Sequence, residues 1–331
     1  MNAIGNSLKE MEIGEAQRHG SLAMHPLLAE HGDGVAYLLL GEALRAGLAR
    51  VTEVSEHGHV PELKLINSAD LPVLIFEGEE LVGAKQNRTT NLTILAPART
   101  TTVIPVSCVE AGRWRYATRD AQVSERMHVA SARAAKAATV SDCLLHEGAP
   151  RADQTRVWHD IGCAAQTLGV HSQTRAMGDI FEAHRPRIDE YVAAFRPVER
   201  QLGALFAIAG EPAGFDLFDH GSTLRAMLPK LVRSYAVDAL RSAEGDRPAA
   251  DGSRARALLD AAAAANVESY PAVGVGTTVR LSAGGLVGGG LVHDERLVHL
   301  AVFTVEREAP AQDDDGRGLA SLSARRRSYR S

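Results

Sequence analysis

A chain of 331 residues that is 45% hydrophobic carries enough apolar material to bury a sizeable core, as one large domain or two smaller ones. Its formal net charge of -5 and pI of about 6.2 leave no electrostatic footprint for a nucleic-acid backbone, and no apolar run approaches membrane-spanning length. Three cysteines (Cys108, Cys143 and Cys163) without a CxxC pair fit a reducing compartment, and the polar N-terminus lacks the pattern of a signal peptide; a cytoplasmic globular protein is expected.

Residues 1–20 are expected to be a leader, mobile or helical. Strand patterns follow at 22–27, 35–40, 48–54 and 61–67, with helical turns between Gly41 and Gly47. The run Val73-Leu74-Ile75-Phe76 is continuously apolar and reads as a strand buried on both faces, stopped by Glu77-Gly78. Further strands are expected at 81–83, 91–95 and 101–106. Residues 124–145, rich in alanine and arginine, suggest a surface helix that is partly mobile.

Asp153 is an N-cap candidate, followed by Val157, Ile161, Ala165 and Leu168 at helical spacing. A second apolar stripe runs from Met177 to Phe195, and Pro186 is expected to break it. Residues 202–208 and 215–218 flank a Gly/Pro turn and predict a hairpin; 222–240 and 253–265 predict helices separated by an exposed joint at 245–252. Three strands within 273–305 need partners from elsewhere, and the nearest β material is the N-terminal third. The expectation is one α+β domain over 21–305, β-rich at 21–114 and at 273–305 and mainly helical at 124–265, with a disordered tail at 306–331.

Polar residues concentrate between Pro72 and Trp114. Lys85, Gln86, Asn87 and Arg88 follow an apolar strand, and Ser107-Cys108-Val109-Glu110-Ala111-Gly112-Arg113-Trp114 closes another. The words GAKQNR, an Asn at Asn91 and IPVSCVEAGRW resemble the ARPP-1 family, a domain of unknown function named for its association with ADP-ribosylglycohydrolases and rhodanese/phosphatase-type proteins. The resemblance runs roughly from Leu22 to Phe303. It implies a setting of nucleotide or ADP-ribose metabolism and supplies no reaction.

The cations and amides of the first word suit a phosphate or carboxylate, Arg88 as a planar fork and Lys85 as a point charge. The plain alternative pairs them with Glu77, Glu79 or Glu110. Regular alternation would send Lys85 and Asn87 one way, Gln86 and Arg88 the other. Cys108 becomes a nucleophile only if a cation such as Arg113 lowers its pKa; otherwise it is a small buried apolar side chain. Its spacing to Arg113 is one residue short of the phosphatase loop.

Glu77, Glu79 and Glu110 suit acid–base work, a divalent cation, or neutralising Lys85 and Arg88. The histidines do not fall at zinc-ligand spacings; His299, near a strand end, is the better functional candidate among them, while His184 reads as packed. Gly274-Val275-Gly276 precedes a strand and lacks the dinucleotide fingerprint's third glycine. The first reading is therefore a small anionic, nucleotide-derived ligand such as ADP-ribose, contacted by Glu77, Glu79, Lys85, Gln86, Asn87, Arg88, Asn91, Arg113, Trp114 and His299, with Cys108 and Glu110 nearest any reacting bond and no metal. The alternative is a non-catalytic scaffold or partner-binding module in which the same words form an internal salt-bridge network. Catalysis, cofactor and oligomeric state are not assigned by the sequence.

Overall fold

The computed structural model describes residues 3–30, 34–242 and 252–305. The chain opens with α1 (Ala3–Glu10), β1 (Glu12–Ile13), β2 (Gln17–His19) and β3 (Leu22–Leu28). The stretch read as a leader is thus helix and strand, and Ile4, Leu8 and Met11 are buried in an apolar cluster shared with the helix at 252–263.

The next segment builds a closed barrel and a small sheet. Its elements are β4 (Leu38–Leu39), α2 (Leu40–Arg45), β5 (Ala49–Glu53), β6 (Glu62–Asn67), β7 (Val73–Ile75), β8 (Glu79–Gly83), β9 (Arg88–Thr90), β10 (Ile94–Ala96), β11 (Thr101–Cys108) and β12 (Ala121–Met127). The barrel closes in the order β11-β6-β5-β12-β8-β9, and β10-β7-β4 form the small sheet. Period-two alternation turns Val51, Leu63, Leu65, Leu81, Ile104 and Val106 into one apolar cluster. In β7, Val73 and Ile75 join that cluster while Leu74 joins the main core, so the strand is buried on both faces.

The expected strand at 91–95 is instead split. β9 ends at Thr90, and Asn91 turns inward to hold Ser107 and Pro150. The strand at 35–40 shrinks to β4, because the Leu39 N–H is taken by the Glu42 carboxylate as α2 begins.

Four helices follow: α3 (Ala130–Glu147), α4 (Gln154–Thr167), α5 (Met177–Ala183) and α6 (Arg185–Ala194). Asp153 caps α4 through the N–H groups of Thr155 and Arg156, and Pro186 sits in the first turn of α6 just after the break. The surface helix expected over 124–145 is corrected in two ways. Its first residues belong to β12, and α3 is largely interior, with Arg133 and Lys136 0% and 1% exposed. Ala130, Ala134 and Ala137 are buried in the main core, the Asp216 carboxylate receives Arg133, and the Thr90 carbonyl receives Lys136.

The rest comprises β13 (Gln201–Ile208), β14 (Glu211–Phe218), α7 (Gly221–Arg241), α8 (Gly252–Ala263), β15 (Asn266–Pro271), β16 (Thr277–Ala283), β17 (Leu286–His293) and β18 (Arg296–Thr304). The large sheet runs β1-β3-β13-β14-β18-β17-β16-β15, with β2 on β3. The first and last described strands therefore meet in one sheet, through the β13–β14 hairpin rather than by pairing with the barrel. One face packs on α1 and α8; the other carries the main core with α3 to α7. The joint at 245–252, except Gly252, and the tail at 306–331 lie outside the described residues.

Arg280 of β16 stands opposite Gly289 of β17, where a Cβ would lie 1.9 Å from its Nη1. Only a glycine leaves room for the guanidinium to cross the sheet there.

Candidate functional site at the barrel mouth

The two polar words meet where β9 pairs with β11, Arg88 directly opposite Cys108. Residues 84–87 form the bend between β8 and β9, so strict alternation does not apply to them; Gly83, at φ +109°, allows the strand to leave its plane. Arg88 also faces Leu81, which turns its side chain into the barrel. It is 0% exposed, its Nε donates to the Val60 carbonyl at 3.0 Å, and Nη1 and Nη2 have no acceptor. Burial lowers its pKa.

Glu53 approaches the same end from β5. Its Oε1 accepts the Lys85 N–H at 3.0 Å, and Oε2 is buried without a donor. Lys85 Nζ donates to the His57 carbonyl at 2.9 Å and stands 5.5 Å from the Trp114 ring and 5.2 Å from that of Tyr116. The loop between β5 and β6 folds down here: a Cβ on Gly58 would come within 3.1 Å of Glu53 Oε2 and of Lys85, and 3.3 Å of Trp114. His57, Gly58 and Val60 thus form a strap across the mouth.

Glu110, Arg113, Asn87 and Gln86 are spent on one another. Glu110 Oε2 accepts from Arg113 Nε at 2.8 Å and from the Asn87 N–H at 3.2 Å; Arg113 Nη2 donates to Asn87 Oδ1 at 2.9 Å; Gln86 Nε2 donates to the Glu110 carbonyl at 3.1 Å. Cys108 is sealed, with its backbone N–H and carbonyl both gripped by the Gln154 side chain. Burial pushes its thiol above the ordinary value, the opposite of what a nucleophile needs.

Beside the mouth, a concavity of about 980 Å³ runs along the outside of β5 and β6, lined by Arg50, Glu53, Lys64, Tyr116 and Arg119 among others. Glu53 thus belongs both to the mouth, through its bond from Lys85, and to the lining of this groove. Arg50 is already held by Asp120 at 3.0 and 3.1 Å, which leaves Lys64 and Arg119 as its cations without a described ion pair. None of these groove residues was singled out from the sequence. Lys64 was legible only as the polar side of an alternating strand.

Glu77, Glu79 and His299 sit elsewhere, in an interior network. Arg133 grips Asp216 with two bonds of 3.1 and 2.6 Å; Asp216 meets His299 Nε2 at 3.3 Å; His299 Nδ1 meets the Thr93 hydroxyl at 2.8 Å. Glu77 pairs with Arg280 at 3.5 Å, Glu79 with Lys230 at 2.8 Å, and Lys136 donates to the Thr90 carbonyl. Burial works to raise the Asp216 pKa, but Arg133 and His299 together outweigh it and hold the carboxyl below its ordinary value. Burial brings Lys136 down to about 7 and His128, whose two ring nitrogens are unpartnered, down to about 3.

Thr93, His299 and Asp216 have the connectivity of a hydroxyl–imidazole–carboxylate relay. They are no more than 4% exposed, Arg133 occupies Asp216, and the Thr93 oxygen accepts the Glu77 N–H at 3.1 Å. A substrate has no approach, and the chain is structural.

Among the described residues, no group of three or more His, Cys, Asp or Glu is placed to hold a metal ion, and no helix is long and apolar enough to cross a membrane. The model of one family, ARPP-1, the ARG and Rhodanese-Phosphatase-superfamily-associated Protein domain, matches residues 10–303. No curated protein and no solved structure matches the chain.

Proposed function

The chain belongs to the ARPP-1 family, and from that premise we propose that it binds a small anionic, nucleotide-derived ligand, with ADP-ribose as the leading example, at the barrel mouth and in the adjoining groove. One observation carries this reading: a fully buried guanidinium with two unmet nitrogens stands beside Lys85, an exposed aromatic pair and a concavity of about 980 Å³. Trp114 and Tyr116, 45% and 49% exposed, give aromatic surface to a base beside the cations already lying over their rings, Lys85 over both and Arg88 over Trp114, while Lys85 at the mouth and Lys64 and Arg119 in the groove offer charge to phosphates. Binding is favoured over turnover, because Cys108 is held as a thiol and Glu110 is engaged by Arg113. Three free cysteines accord with a reducing, cytoplasmic setting.

Calorimetry with ADP-ribose, ADP and AMP tests the proposal. Wild type should give heat with at least one of them, and Lys85→Ala and Lys64→Glu should each weaken that binding about tenfold, roughly 1.4 kcal/mol. Wild-type silence towards all three rejects it.

The mutual engagement of Glu110, Arg113, Asn87 and Gln86 favours a second reading for that part alone, a latch in a non-catalytic scaffold. In that case Glu110→Ala lowers the melting temperature by several degrees and no nucleotide gives heat.

A further inference from the structure

Arg88 differs from the other sealed arginines. Arg133 and Arg280 are equally buried, yet they spend their Nη groups on Asp216, and on Glu77 and the Ala137 carbonyl. Arg88 hydrogen-bonds only through Nε and lies 5.5 Å from the centre of the Trp114 ring, so a guanidinium with five N–H donors leaves both of its Nη groups without an acceptor where water is shut out. A buried polar group without a partner is costly, and a native structure keeps one where something else satisfies it. At the same end of the barrel a second unmet group has the complementary sense: Glu53 Oε2, which is buried and accepts from nothing.

A bare inorganic anion would satisfy Arg88 but be repelled by Glu53. A neutral sugar would satisfy Glu53 but leave the guanidinium empty. A ligand with an anionic oxygen pair on one side and a hydroxyl on the other meets both. We infer that Arg88 and Glu53 form a subsite, under the strap at the barrel mouth, for the phosphorylated-sugar part of the ligand, phosphate oxygens accepting from Arg88 Nη1 and Nη2 and a sugar hydroxyl donating to Glu53 Oε2. This rests on the binding reading above and deepens it: recognition falls on the sugar phosphate, and the base adds only stacking on the exposed rings.

Entry requires the strap to lift, because Lys85 holds it at the His57 carbonyl and Arg88 at that of Val60. Cys108 stands opposite Arg88 in the β9–β11 pair and is sealed while the strap is down, so alkylation of its thiol reads the lifting of the strap and its suppression by a bound ligand.

The test has two arms. In calorimetry, ribose 5-phosphate should bind at least tenfold more tightly than inorganic phosphate, and ribose not measurably. Arg88→Lys should lose at least tenfold for ribose 5-phosphate, and Glu53→Gln should bring ribose 5-phosphate towards the inorganic phosphate level. In a Cys143→Ser/Cys163→Ser chain, which retains Arg88, ribose 5-phosphate should slow alkylation of Cys108 at least fivefold while ribose does not. The second arm decides if Arg88→Lys fails to fold. Equal behaviour of ribose and ribose 5-phosphate, or undiminished affinity in a folded Arg88→Lys protein, overturns the inference. If ADP-ribose binds through Lys85 and Lys64 while ribose 5-phosphate gives neither heat nor protection, the subsite is wrong and the groove reading stands; if no ligand binds, both fall.

Discussion

Two polar regions of this molecule are built from the same residue types and end in opposite states. In the interior, Arg133, Arg280 and Lys230 each have a carboxylate partner, and His299 bridges Asp216 to Thr93. At the barrel mouth, Arg88 is as deeply buried as any of them and has none. Equal burial therefore accompanies two states of a guanidinium, one held by a carboxylate and one with its Nη groups unmet. A matched charge fixes neighbours, whereas an unmatched one is retained at a cost to stability.

The sharpest way to break this contrast is to truncate both arginines alike. Arg133→Met strands Asp216 in the core and should cost about 3 to 5 kcal/mol, lowering the melting temperature on the order of 10 °C in a thermal scan. Gly289→Val should come next, at about 1 to 3 kcal/mol, because the new side chain occupies the space of Arg280; a scan of Gly289→Val in an Arg280→Met background should recover much of that loss.

Lys136 sharpens the comparison through pH. Its ordinary pKa of 10.5 falls to about 7 in the folded chain, so between those values the unfolded chain binds more protons and stability rises with pH. His128 acts in the same sense lower down: its folded pKa of about 3 lies below the ordinary 6.5, so stability is lost as pH falls through that window. Denaturant titrations from pH 7 to 10 should show the rise in wild type and a flatter profile in Lys136→Met; an unchanged slope would show that Lys136 is not the group responsible. The smallest effect on stability should be at the mouth. Arg88→Met removes unmet donors along with a single bond to Val60 and the guanidinium's contact with the Trp114 ring, and its stability should stay within about 1 kcal/mol of wild type by the same scan. A loss as large as that of Arg133→Met would erase the distinction.

The meeting of the two words was legible because both stand at the ends of apolar strands, and antiparallel pairing of β9 with β11 brings such ends together. The groove was not legible: Lys64 and Arg119 lie on strand and loop surfaces where single charges are ordinary. The interior network was hidden for a different reason. An alanine- and arginine-rich stretch resembles a solvated helix, and only the placement of Arg133 and Lys136 on the same face as Ala130 and Ala137 hinted that α3 turns its charges inward. Their partners arise from other segments, so no local pattern announces them. β12 was missed because an irregular register between Val123 and Met127 spoils its alternation.

The interior pairs divide by sequence position: Glu77 and Glu79 belong to the barrel segment, whereas Lys230 and Arg280 come from the later helix and sheet. Cutting the chain after Met127 would strip these acids of their counter-ions and bare the surface around them. The barrel is thus half of an electrostatic closure, and dissecting the protein into separately expressed pieces should yield aggregation instead of a working miniature.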